Sequence, residues 1–129
     1  MDYGTSEAGS VVVMATASDD RYPPENILDG KENSFWVTTG LYPHEFVVEL
    51  KEAASISKIK MWSSHIKKLA IEKSNSVDRF EKVLEVELQD KTSRLQIESH
   101  QVDIKAKFVK FVIISGWDDF SAVNKISMT

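Results

Sequence analysis

Phe80-Glu81-Lys82-Val83-Leu84-Glu85-Val86-Glu87-Leu88 decides between two fold classes. Its glutamates, lysine and leucines are good helix formers. Yet Leu84, Val86 and Leu88 alternate with Glu85 and Glu87, and Phe80 extends the pattern backward. A helix burying one stripe needs apolar residues three and four apart, whereas a strand needs them two apart. Spacing wins over propensity, and the segment is a half-buried strand.

The same period runs outward in both directions. Val11, Val13 and Ala15 share one face of a first run, and Phe46, Val48 and Leu50 share one face of a second. Ile59 and Met61 alternate with Lys58, Lys60 and Trp62, and Leu69 and Ile71 with Lys68, Ala70 and Glu72. Further runs cover 95–97, 102–104, 108–114 and 123–128. Residues 108–114 are apolar on both faces apart from Lys110, which predicts a central strand covered on both sides. Polar stretches such as Glu52-Ala53-Ala54 and Gln89-Asp90-Lys91-Thr92-Ser93 read as turns. About eight or nine short strands at spacings of about ten residues, with hardly any helix, predict an all-β antiparallel sandwich or barrel. Neither linker nor repeat interrupts residues 1–129, which read as one domain.

Composition narrows the function. Of 129 residues 42% are hydrophobic and 28% charged, as in soluble globular chains, and no apolar run has the ~20 residues of a membrane span. The first ten residues lack the basic flank and apolar stretch of a secretory signal, and cysteine is absent. Both point to a reducing compartment. A net charge of −4 argues against a nucleic-acid footprint. The clusters Lys58/Lys60, Lys67-Lys68 and Lys105/Lys107/Lys110 read as solvated sheet faces.

Catalytic chemistry finds no foothold. His44, His65 and His100 stand in separate segments, without metal-ligand spacing, and read as surface or turn residues. No nucleophile elbow, phosphate-cradling glycine loop or H-E-x-x-H motif occurs. The pairs Asp118-Asp119 and Asp19-Asp20 read as loop caps, and the chain reads as a non-enzyme.

The most specific stretch runs from Pro23-Pro24-Glu25-Asn26 through Asp29-Gly30 to Ser34-Phe35-Trp36. Proline starts a short turn, Gly30 supplies positive φ, and Asp29 and Ser34 converge either on a cation or on the loop's own amides. One carboxylate, one hydroxyl and carbonyls would hold calcium weakly, at roughly 10⁻⁴ to 10⁻³ M. Of Phe35 and Trp36, at least one enters the core. Trp117 and Phe120 bracket Asp118-Asp119 and either plug the end of the core or stand out as anchors for a partner. Residues 37–43 pose the same choice, with Leu41 and Tyr42 beside threonine hydroxyls.

The strings A-T-A-S-D-D-R-Y-P-P-E-N-I-L-D-G (15–30), F-W-V-T-T-G (35–40) and P-H-E-F (43–46) resemble the intraflagellar transport protein 25 family, as do residues 68–73, 80–82 and 120–123. That family is also labelled heat shock protein beta-11-like. More loosely, D-G, then a hydroxyl, then W resembles discoidin-like, galactose-binding-type jelly rolls. The resemblance implies a jelly roll with a structural calcium, Ca²⁺ held by Asp29 and Ser34 and by carbonyls of Asn26 and Lys31. Ser34 stands where relatives often carry threonine, and the acidic residue that the superfamily often adds near the C-terminus has no counterpart after Val123. It further implies a Rab-like small GTPase partner within the intraflagellar transport B particle, and a place in the cilium or flagellum and the cytoplasm around the basal body. Thr38, Thr39, Gly40, Trp117 and Phe120 are the candidate contacts. A carbohydrate- or lipid-head-group-binding module and a nuclear scaffold of the DNA-repair type are the competing expectations.

Overall fold

The computed structural model describes residues 1–91 and 94–129, so Thr92 and Ser93 of the expected 89–93 turn lie outside the described residues. Seven strands occur among the described residues: β1 (Val11–Ala15), β2 (Trp36–Val37), β3 (His44–Ser64), β4 (Ile66–Ser74), β5 (Glu81–Glu87), β6 (Gln96–Gly116) and β7 (Ala122–Met128). Two 3₁₀ turns, Ser6–Ala8 and Pro24–Leu28, complete the regular structure. Every pairing is antiparallel.

The count falls below the expected eight or nine because β3 and β6 are continuous strands of 21 residues, each absorbing runs that read as separate. Glu52-Ala53-Ala54 is therefore no turn. It lies inside β3, where the register slips between Glu49↔Phe108 and Ala54↔Ala106. Surplus residues on one strand bend it sharply, and such bulges let one strand serve two sheets at a sandwich corner. The first half of β3 pairs with β1 and with the second half of β6, which continues to β4 and β5. Its second half pairs with β7 and with the first half of β6, and β2 closes that layer.

Between the layers lies one cluster of buried side chains. Trp36, Phe46 and Phe111 fill its centre: Phe46 stacks on Phe111 at 4.8 Å, and Trp36 meets Phe46 edge-on at 5.4 Å. Each such aromatic withdrawn from water contributes roughly 1.5–3 kcal/mol. Trp36 Nε1 donates to the Ala17 carbonyl at 2.8 Å, so its polar handle is satisfied. Trp36 is thus the core residue of its pair, and Phe35 stacks on Tyr22 at 4.6 Å outside.

Period-two expectations hold through β5, where Leu84 and Val86 face inward and Glu85 and Glu87 outward. They fail in β1. A bulge between Val12 and Met14 turns Val11 and Val13 outward and leaves Val12 and Ala15 against the core. Residues 108–114 form a central stretch between β3 and β4, with Val109, Phe111 and Ile113 in the core and the opposite face partly covered, its Phe108 buried and its Val112 and Ile114 half-buried. That second face carries Lys110, with Glu45 and Glu72 each at 4.0 Å.

The histidine expectation is corrected at His44. It opens β3 buried, its Nδ1 3.1 Å from Thr16 Oγ1 and its Nε2 3.2 Å from the Gly40 carbonyl. His65 occupies the β3–β4 turn with φ of 62°. His100 is half-buried, its Nε2 without a hydrogen bond.

Candidate functional site: a cleft rim and a neighbouring loop

Two loops meet at one end of the sandwich because β2 and β7 pair through Val37↔Ala122. Beyond that pair, Thr38 N–H donates to the Ser121 carbonyl and Ser121 N–H donates to Thr38 Oγ1, both at 2.9 Å. Tyr42 then crosses to the second loop. Its hydroxyl donates to the Asp118 carbonyl at 3.0 Å and lies 2.8 Å from Ser121 Oγ. Burial pushes the Tyr42 phenol above its ordinary pKa; the Ser121 hydrogen bond opposes that rise and the charge of Asp118 adds to it. The second loop is tied down independently, since Trp117 N–H and Ser121 Oγ both donate to the His65 carbonyl, at 2.8 and 3.0 Å.

Between these loops opens a cleft of about 650 Å³ lined by Gly40, Leu41, Tyr42, Gly116, Trp117 and the Asp118-Asp119 pair. Its rim is apolar and accessible: Leu41 is 93% exposed and Trp117 40%, with Phe120 beside them at 44%. Trp117 Nε1 donates to the Leu88 carbonyl at 3.0 Å, and Lys67 Nζ sits 4.9 Å from the ring centroid, so the indole is presented rigidly. Phe120 packs edge-on against His65 at 5.3 Å. Trp117 and Phe120 are thus outward-standing side chains and not plugs. An exposed, pre-ordered aromatic costs little entropy when it enters a partner's pocket.

Of the five residues expected to contact a partner, Thr39, Gly40, Trp117 and Phe120 stand at this end. Thr38 is 2% exposed, its hydroxyl consumed by Ser121, so its side chain is withdrawn from the surface. Gly116 and Lys67 carried no local signal, because they reach the rim only through the β4–β6 pairing.

The second candidate site follows the Pro24–Leu28 turn. Asp29 caps that turn and Gly30 reverses the chain at φ of 76°. Asp29 Oδ1 accepts from Lys31 N–H at 2.9 Å, and Ser34 Oγ donates to Asp29 Oδ2. Asn26 Nδ2 donates to the Phe35 carbonyl at 3.0 Å, so the Asn26 side chain braces the loop and leaves ligation to its backbone. Among the described residues no three His, Cys, Asp or Glu side chains come together. A cation here would therefore rest on one carboxylate and neutral oxygens.

One residue bears on the fit. Asn124 falls in the register shift between Trp62↔Lys125 and Ser63↔Val123. It is 7% exposed, and its Nδ2 donates to the Glu32 carbonyl at 2.8 Å. Its Oδ1 is buried without a partner. An orphaned amide oxygen held beside a carboxylate-bearing loop is a neutral donor of the kind calcium accepts. The donor set fits a weak calcium site.

Residues 11–127 match the F5/8 type C domain. The chain is 51% identical over 129 residues to intraflagellar transport protein 25 of Chlamydomonas reinhardtii, covering 98% of this chain and 68% of the relative. It is 37% identical to the intraflagellar transport protein 25 homolog of Homo sapiens, covering 98% and 90%. Among solved structures it superposes on the family 32 carbohydrate-binding module of Clostridium perfringens NanJ in complex with galactose, with a TM-score of 0.84 at 19% identity over 98% of this chain and 96% of that one. The family 32 module of Streptococcus pneumoniae EndoD gives 0.75 at 12% identity over 100% and 99%. At such identities the likeness establishes the discoidin-like jelly roll alone. The chain belongs to the F5/8 type C domain family and, by its curated relatives, to the intraflagellar transport protein 25 family.

Proposed function

We propose that this chain is a non-enzymatic subunit of the intraflagellar transport B particle, working in the cilium or flagellum and the basal-body cytoplasm. It grips a Rab-like small GTPase through the rim of the cleft between residues 38–43 and 117–121, and so supports cargo transport along the axoneme. Nucleotide chemistry belongs to the partner. The reading is carried by the rim itself: exposed Leu41, Trp117 and Phe120 on loops cross-linked by Tyr42, Ser121 and His65. Rigid apolar anchors surrounded by polar backbone are the usual centre of a protein interface.

Co-expression with a Rab-like GTPase of the transport particle tests it. The pair is expected to co-purify one to one, and Thr39→Arg or Trp117→Ala to weaken association at least about tenfold, the scale of one lost anchor. Retention of full affinity by both variants would refute the assignment of this rim. A glycan array and liposome flotation are expected to be silent.

We also propose a structural calcium at Asp29 and Ser34, completed by carbonyls of Asn26 and Lys31 and by Asn124 Oδ1. The ion would staple the loop beside β2 and β7, the two strands that carry Thr38 and Ser121 to the rim.

A further inference from the structure

The outer faces of the two layers carry lysines in different company. On the first layer, Lys107 Nζ lies 3.7 Å from a Glu49 oxygen, and Lys110 stands between Glu45 and Glu72. That face is a cross-strand mosaic of opposite charges.

The second layer has no such balance. Lys58, Lys60 and Trp62 follow one another on the side of β3 opposite the core residues Ile59 and Met61, with Trp62 only 8% exposed beneath its lysine neighbours. Across the strands, Lys58 faces Gln101, Lys60 faces Ser99 and Ser127, and Trp62 faces Ile97 and Lys125. None of the three lysines has a carboxylate within 4 Å among the described residues. Instead Lys60 Nζ and Lys125 Nζ both sit on the Trp62 ring, 4.8 and 4.7 Å from its centroid. Ile97, beside them, is 50% exposed. In a chain with 20 acidic residues and a net charge of −4, the nearest same-face carboxylate along β6 is Asp103, two residues beyond the Gln101 that faces Lys58, and it forms no ion pair with these lysines.

We infer that this face binds an extended acidic segment of a partner protein, laid along β3 with its carboxylates on Lys58, Lys60 and Lys125 and an apolar side chain on Ile97. The spacing argues for it. Same-face residues of a strand repeat at about 6.6 Å, so Lys58 and Lys60 match acidic side chains two apart in an extended chain. Lys125, diagonal to Lys60 across β3 and β7, adds a third cation about 7–8 Å away. Both ammonium groups are already held over the indole, so little rotamer freedom is lost on pairing. A polybasic membrane signal uses about four to eight cations, and nucleic-acid domains are strongly basic overall. Three lysines on an acidic chain fit a short carboxylate-bearing segment better. The patch shares no residue with the cleft and does not depend on the function proposed for it.

The test is ¹H–¹⁵N NMR titration of the chain with an end-blocked octapeptide of alternating glutamate and threonine, at low salt. The Trp62 indole and the amides of 58–62 and 125–127 are expected to shift, and the shifts to fade as salt screens the pairing. Lys60→Gln with Lys125→Gln keeps much of each stem and should weaken binding about tenfold, while Lys68→Gln on β4 should not. Absent shifts, shifts centred elsewhere, or an unaffected double variant would overturn the proposal. So would tighter binding at this patch by an oligothymidylate, or by phosphatidylserine-containing vesicles, than by the peptide.

Discussion

Gln96 is fully buried at the start of β6 and satisfies four groups at once. Its Oε1 accepts from Ile66 N–H at 3.0 Å and from Ser63 Oγ at 3.2 Å; its Nε2 donates to the carbonyls of Ile66 at 2.7 Å and Gln89 at 2.9 Å. One amide thereby fixes the β3–β4 turn, whose His65 carbonyl holds the Trp117 loop. Gln96→Leu keeps the bulk and strands these partners. Gln89 is exposed and its carbonyl recovers water, but both backbone groups of Ile66 and the Ser63 hydroxyl lie where water does not reach. Three unsatisfied buried groups at about 1–3 kcal/mol each, less about 1 kcal/mol for the apolar replacement, leave a net loss of at least about 2 kcal/mol. For a chain of this size that is a fall in Tm of at least about 8 °C. Urea unfolding should show a lower midpoint at unchanged slope. Gln96→Glu buries a charge at neutral pH; its carboxyl titrates higher in the folded state, so its deficit should shrink as pH falls toward the unfolded carboxylate range. A Gln96→Leu loss below about 1 kcal/mol would refute the hydrogen-bond accounting.

Gly116→Ala puts a methyl group into the Tyr42 hydroxyl, 2.5 Å from Tyr42 Cζ and 2.8 Å from the His65 carbonyl. It should cost about 1–3 kcal/mol and weaken partner capture, and Tyr42→Phe in the same chain should recover part of the loss in a double-mutant cycle. Because burial raises the Tyr42 phenol, its stabilising share is intact below about pH 10 and drains away as pH climbs from there through the folded value. Tyr42→Phe should flatten that alkaline decline in denaturation midpoints, and an unchanged decline would contradict the buried placement. Calcium at about 5 mM, against an affinity of roughly 10⁻⁴ to 10⁻³ M, should stabilise the chain by about 1–2 kcal/mol. Differential scanning fluorimetry should show a rise of about 4–8 °C over chelator, abolished by Asp29→Asn, and coincident curves would remove the ion from the loop.

Several elements were legible from the residues alone. The alternation of Leu84, Val86 and Leu88 against two glutamates specifies a half-buried strand whatever surrounds it, because pleating sends successive side chains to opposite faces. Asp29, Gly30 and Ser34 specify their loop for an equally local reason: positive φ and a short capping side chain act within a few bonds. That at least one of Phe35 and Trp36 enters the core was legible from their place at the edge of an apolar run; which one was not.

Other features depended on partners distant in sequence. Alternation reports which face a residue takes but not whether two runs join, so the bulge after Glu49 and the 21-residue span of β3 appeared only with the β3–β6 register. Likewise Thr38 and Thr39 read alike as exposed hydroxyls. Thr38 turns inward because Ser121, eighty-three residues away, needs an acceptor for its amide. His44 is buried because Thr16 and the Gly40 carbonyl meet it there. Lys60 and Lys110 look the same in the chain, each flanked by apolar residues on a strand. Cross-strand register gives Lys110 its two glutamates and gives Lys60 only serines, leaving its ammonium on Trp62 of its own strand. Secondary structure follows from side-chain period and backbone freedom, which are local, whereas burial of polar groups and charge balance are set by neighbours that only folding brings together.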